Sequence, residues 1–128
     1  MGTSQRSPRS TRHVAGTVLI ALGSLVLLAS AAAKFALVPQ VAAQLGAFGF
    51  TGGRLTLIAI AEFVSAALFL VRQTRSAGLL LVSAFLGGAI ATHLQHGQSV
   101  LQPAIVLGLL WLGAWLRHPE TLWSVVRT

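Results

Sequence analysis

A chain with only two acidic residues in 128 places one of them, Glu62, inside the apolar run IAIAEFVSAALFLV. Two more groups able to bind or move a proton sit in neighbouring apolar runs: Lys34 closes the first, and His93, next to Thr92, lies near the end of the third. A carboxylate, an ammonium and an imidazole in one apolar setting can hydrogen-bond a ligand and exchange protons with it. Such groups are costly away from water, and a carboxylate near the centre of a bilayer needs a partner or a retained proton. Lys34, Glu62, Thr92 and His93 are therefore the candidate ligand-binding residues, with no catalytic residue assigned.

The elements that must carry these residues follow from composition. Hydrophobic residues make up 55% of the chain and charged residues 9%, and the mean hydropathy is +0.80. These values belong to an integral membrane protein rather than a water-soluble domain. The formal charge of +7 falls in short segments between apolar runs, not along one helical face, which argues against a nucleic-acid partner. The absence of cysteine excludes a disulfide, a thiolate metal site and thiol chemistry by this chain alone.

Four apolar runs divide the chain, and they predict an all-α four-helix transmembrane domain over residues 14–118. The spans are placed at about 14–37, 55–71, 76–95 and 100–117 from the pattern of apolar runs and from the roughly 20 residues that cross a bilayer core. Residues 1–13 read as a disordered basic tail, and residues 119–128 as a short C-terminal segment lying on the membrane surface. Between the first two spans, PQVAAQL begins with a helix-opening Pro39 and carries Val41, Ala42 and Leu45 on one stripe. This predicts a short interfacial helix, with a flexible loop as the alternative. A cleaved signal peptide is a rival reading of the first run, which is longer than a usual signal core.

Orientation comes from the loops. With the N-terminal tail in the cytoplasm, seven arginines (6, 9, 12, 72, 75, 117 and 127) lie inside and only Lys34 and Arg54 outside, so both termini are expected to be cytoplasmic. Trp111, Trp115 and Trp123 then fall near the inner interface. Counting about 1.5 Å per residue, Glu62 lies about 12 Å below the level of Arg54, and His93 about 27 Å from Arg75, near the outer side. Lys34, Glu62 and His93 thus share the outer half of the membrane on three different helices. Small residues flank each of them at helical spacing, among them Ala59, Ser65 and Ala66 beside Glu62, Ser30 and Ala31 beside Lys34, and Ala84 and Gly88 below Thr92. Such faces suit close helix packing and point into the bundle.

Structural readings stand beside this one. Glu62 is then a buried polar staple, Lys34 an end anchor reaching for the headgroups, and His93 an interfacial residue without chemistry. His93 and His96 share a face at i, i+3, but two histidines make a weak metal signal. A bis-histidine haem is disfavoured because His13 and His118 lie at the opposite boundary. No metal is assigned and no intrinsic cofactor is expected.

The sequence also resembles a family. The segments AAAKFALVPQVAAQLGAFGF, AEFVSAALFLVRQTRSAGLLLVSAFLGGAIATHLQHG and PAIVLGLLWLGAWLRHPE are similar to those of the DoxX-like family of small bacterial membrane proteins. The likeness covers about residues 31–120. Its specific elements are Lys34 at the end of the first span, the PQVAAQL turn, Glu62, the R-x-x-R-x-x-G turn from Arg72 to Gly78, GGAIATHL, and the terminal L-R-x-P. The resemblance implies a four-helix bundle in the bacterial cytoplasmic (inner) membrane. Some relatives are described as membrane subunits of quinone-linked oxidoreductases acting on thiosulfate. It therefore suggests a quinone as cofactor and an oxidoreductase chain as partner, beside the lipid bilayer and a homo-oligomer. This chain has no redox centre of its own, so it is not expected to be catalytic alone. Three functions follow: a membrane subunit with a polar pocket for a quinone or other small ligand, a noncatalytic scaffold, and a small proton-coupled exporter. The exporter is the weakest, because small four-span exporters carry their glutamate in the first span.

Overall fold

A computed structural model describes residues 8–117, with side chains from Thr11 onward. The segments read as a basic tail and as a C-terminal surface segment lie largely or wholly outside these residues. Within them the chain forms α1 (Pro8–Phe35), α2 (Pro39–Ala47), α3 (Gly53–Leu70), a single 3-10 turn (Arg72–Thr74), α4 (Arg75–Gln95) and α5 (Leu101–Arg117). There is no strand among the described residues. Helix α1 begins at Pro8, where a missing N–H costs nothing, so it takes in the last residues of the stretch read as a tail.

The four long helices run up and down and close into a ring, with α1 packed between α3 and α5, and α4 between the same two. This topology brings Arg12, Arg72, Arg75 and Arg117 to one end and Lys34, Arg54 and His93 to the other. At the arginine end the Arg12 guanidinium lies 4.4 Å from the centre of the Trp115 ring and donates to the Trp115 carbonyl at 3.2 Å. Three helices, including residues 11–35, 53–70 and 72–95, are long and apolar enough to cross a membrane. Helix α5 is apolar but has 17 residues, about 25 Å at 1.5 Å per residue.

Large apolar side chains lie on the surface as well as in the core, where Phe69, Leu79, Val82, Leu86 and Leu110 are buried. Val18, Leu22, Leu25, Leu57, Phe63, Leu80 and Leu94 are exposed, whereas Ser24, Lys34, Glu62 and Ser65 are buried. Large apolar groups face outward because lipid accepts them, and small residues inside let backbones approach. A Cβ on Gly23 would collide with the Leu110 side chain, which locks α1 against α5. On Gly78 it would collide with the backbone of Phe69, which locks α4 against α3.

Helix ends show how the loops are fixed. At the end of α1, Leu37 N–H bonds to Lys34 O and Val38 N–H to Ala33 O, with Leu37 at φ 54°. The ends of α2 and α4 repeat this pattern around Gly49 (φ 88°) and Gly97 (φ 67°), residues that adopt positive φ without steric cost. Leucine in that position is strained, and it turns the chain so that Pro39 can open α2. Helix α3 ends differently. Its last carbonyls are met by side chains, Leu68 O by the Thr74 hydroxyl at 2.8 Å, and Phe69 O and Leu70 O by the Arg75 guanidinium at 3.1 Å each. That accounts for the second arginine and the glycine of the R-x-x-R-x-x-G turn: Arg75 caps α3, and Gly78 lets the two helices touch.

Candidate functional site

Lys34 lies one residue from the end of α1, yet its side chain does not reach outward. Its Nζ donates to Ser30 Oγ at 2.7 Å, one turn back, and to Glu62 Oε2 at 2.7 Å. Geometry explains the direction. Cα–Cβ bonds tilt toward the N-terminus of a helix, so a lysine at the C-terminal end of α1 starts back into the bundle. Helix α3 runs the opposite way, and the same tilt aims Glu62 toward the Lys34 end. The two side chains converge in a buried ion pair, with the lysine side chain 9% exposed and the glutamate 2%. The reading of Lys34 as an end anchor is thereby corrected, and the partner expected for Glu62 is identified.

The pair leaves polar capacity unused. Glu62 Oε1 is buried and has no hydrogen-bond partner among the described residues. An ammonium has three protons, and Lys34 directs two of them to Ser30 and Glu62.

Both residues line a cavity of about 470 Å³, within the size range of small-molecule sites. All five helices contribute to its wall. Helix α1 supplies Leu27, Ser30 and Lys34, and α4 supplies Phe85, Ala89 and Thr92. Toward the Lys34 end it is bounded by Leu45 of α2, by Phe48, which caps that helix, and by Phe50. The wall is mainly apolar, with the ion pair, Ser30, Thr92 and Gln102 as its polar groups.

Of the residues picked from the sequence, the structure brings Lys34, Glu62 and Thr92 to one cavity. Thr92 turns its hydroxyl to the Gly88 carbonyl at 2.9 Å. His93 does not line the cavity. Its Nδ1 donates to Ala89 O at 2.7 Å, and its ring meets Phe48 edge-on with centroids 5.2 Å apart. The Phe48 side chain belongs to the cavity wall and packs against both the His93 ring and, with centroids 4.8 Å apart, the His96 ring. His96 likewise donates Nδ1 to Thr92 O at 2.9 Å. No group of three potential metal ligands occurs among the described residues.

Phe48, Phe50 and Gln102 are wall residues that sequence reasoning passed over. The amphipathic stripe of PQVAAQL was the signal for the first, since Phe48, the C-cap of α2, follows Leu45 by three residues and continues that stripe. Gln102 is a polar residue at the start of the fourth span, level with the other polar groups.

An apolar helical bundle with three helices long enough to cross a membrane, many large apolar side chains exposed and an ion pair buried inside is a membrane protein. A model of the DoxX-like family matches residues 17–115, most of the chain, and the protein belongs to that family. No curated protein and no solved structure matches it.

Proposed function

We propose that the protein is a ligand-binding membrane subunit, whose cavity takes a small lipid-soluble molecule with its polar part at Lys34 and Glu62. The observation that supports this most is the ion pair on the cavity wall, where the Lys34 ammonium gives two of its three protons to Ser30 and Glu62. A pair serving only to join helices gains nothing from a cavity of about 470 Å³ beside it. A quinone headgroup fits the chemistry, since its carbonyls accept from an ammonium and its ring suits an apolar wall. An oxidoreductase partner chain would then supply the redox centre that this chain lacks, in a bacterial cytoplasmic membrane.

The test is ligand-dependent thermal stability in detergent or nanodiscs. A ligand at a hundred times its Kd stabilises by about 2.7 kcal/mol. The wild type should gain from members of a quinone panel, and Glu62→Gln should gain little. No gain with any quinone or other small lipid-soluble molecule, a neutral monoacylglycerol included, would defeat the reading, as would an equal gain by the variant.

One observation favours a second reading. The 2.7 Å bond joins α1 to α3 with both partners buried, as a structural staple would in a noncatalytic scaffold. In that case Glu62→Gln lowers stability and no ligand shifts it. The exporter reading is weakened by the same bond, because a proton carrier must release its carboxylate during each cycle.

A further inference from the structure

The cavity is bounded toward the Lys34 end of the bundle and has exposed wall residues along its side. Leu45, Phe48 and Phe50 cover the end. The wall residues that are exposed are instead Val26 on α1, Ala84 and Gly88 on α4, and Gln102 on α5. Val26 and Ala84 lie well inside their helices, eight residues before Lys34 and nine after Arg75, or about 12 and 14 Å along the axis. The mouth thus runs beside α5, flanked by α1 and α4, from Gln102 near the start of that helix to Val26 and Ala84 at membrane depth.

Packing along α5 is uneven in a way that matches this mouth. Its C-terminal half is held by Leu110 against Gly23, by Gly113 against Leu19 and Ile20, and by the Trp111 indole N–H donating to Ser83 Oγ at 2.9 Å. In its N-terminal half only Pro103 is buried, against Leu110, Gly113 and Ala114 in the other half, and a Cβ on Gly88 of the neighbouring helix would meet nothing within 4 Å. The seam is pinned at one end and unfilled at the other.

Charge limits what the head of a ligand can be. Lys34 and Glu62 form an electroneutral pair in the wall, so no net positive charge is left there to hold an anion. An anionic head would give up its water in a low-dielectric setting without a counter-charge, which is costly. A neutral head that accepts a hydrogen bond from Lys34 meets no such cost.

We infer that the cavity is loaded sideways from the bilayer and holds a neutral-headed amphiphile, with its head at Lys34–Glu62 and its tail leaving between the helices beside α5. This deepens the ligand-binding reading and rests on it. The class includes isoprenoid quinones and neutral lipids, and excludes fatty-acid anions and acidic phospholipids.

The experiment compares three probes in nanodiscs, each corrected for partition into empty discs: a benzoquinone ring without a tail, the same ring with a decyl chain, and decanoate. Each is measured on the wild type and on Gly88→Phe and Ala84→Phe, two independent fillings of the mouth at exposed positions. The tailed quinone should bind the wild type at least tenfold more tightly than decanoate, and each variant should lose at least tenfold of that affinity. The tail-less ring should lose less than threefold. A long-chain neutral monoacylglycerol added as competitor distinguishes a quinone site, which it leaves occupied, from a general neutral-lipid site, which it empties; the inference holds in both cases. It is overturned if both mouth variants bind the tailed quinone as the wild type does, or if decanoate binds equally well, and in either case the cavity reading survives. If neither quinone binds the wild type and the monoacylglycerol does not bind either, the cavity reading fails and this inference with it.

Discussion

Replacing Lys34 and Glu62 singly and together separates the energy of their pairing from the cost of burying them. At the observed N–O separation of 2.7 Å and an effective dielectric of about 20, the attraction is about 6 kcal/mol. Desolvating the two ions costs several kcal/mol each, so the net contribution of the pair is small, while loss of one partner strands the other at a cost of about 3 to 5 kcal/mol. Among the described residues, Lys34→Met leaves Glu62 without a donor, and Glu62→Leu leaves Lys34 with Ser30 alone. Each single variant should therefore lose about 3 to 5 kcal/mol, whereas the double variant, with apolar groups of similar size on both helices, should lie within about 2 kcal/mol of wild type. Reversible unfolding by SDS in mixed micelles, followed by helical circular dichroism, measures all four proteins under one condition. The decisive quantity is the coupling energy, which additivity would set to zero. If the double variant is destabilised by the sum of the two single losses, the residues do not act as a pair and the convergence argued from helix direction is wrong.

Other predictions test the packing. Gly78→Ala forces a methyl group into the backbone of Phe69 and should destabilise by about 1 to 3 kcal/mol. Gly88→Ala meets open space and should be neutral or stabilising by up to about 1 kcal/mol from helix propensity; SDS unfolding of the two variants side by side checks the contrast. Arg75→Met removes the donors to the Phe69 and Leu70 carbonyls and should cost about 1 to 3 kcal/mol, with faster amide exchange at the end of α3 as the local readout. Trp111→Phe deletes the bond to Ser83 for about 1 kcal/mol, and the same unfolding titration measures it.

Much of this molecule is written in the order of its residues. Apolar runs of membrane-spanning length fix the helices, because a backbone in lipid must satisfy its own hydrogen bonds. Proline at position 39 and glycines at 49 and 97 mark where helices begin and stop, through constraints of φ that act within a few residues. The rarity of acids made Glu62 conspicuous, and the cost of a bare carboxylate in lipid required that it have a partner or keep its proton. Which partner it has was not legible. Lys34 is 28 residues away, and the choice between reaching for headgroups and turning inward depends on a neighbouring antiparallel helix at the right height. Only the assembled bundle also decides that Phe48 lines the cavity and packs against His93, because that placement follows from how α2 folds over the bundle rather than from spacing along the chain. The same holds for the mouth beside α5: each helix is apolar throughout, and the gap exists because α5 packs closely at one end and loosely at the other.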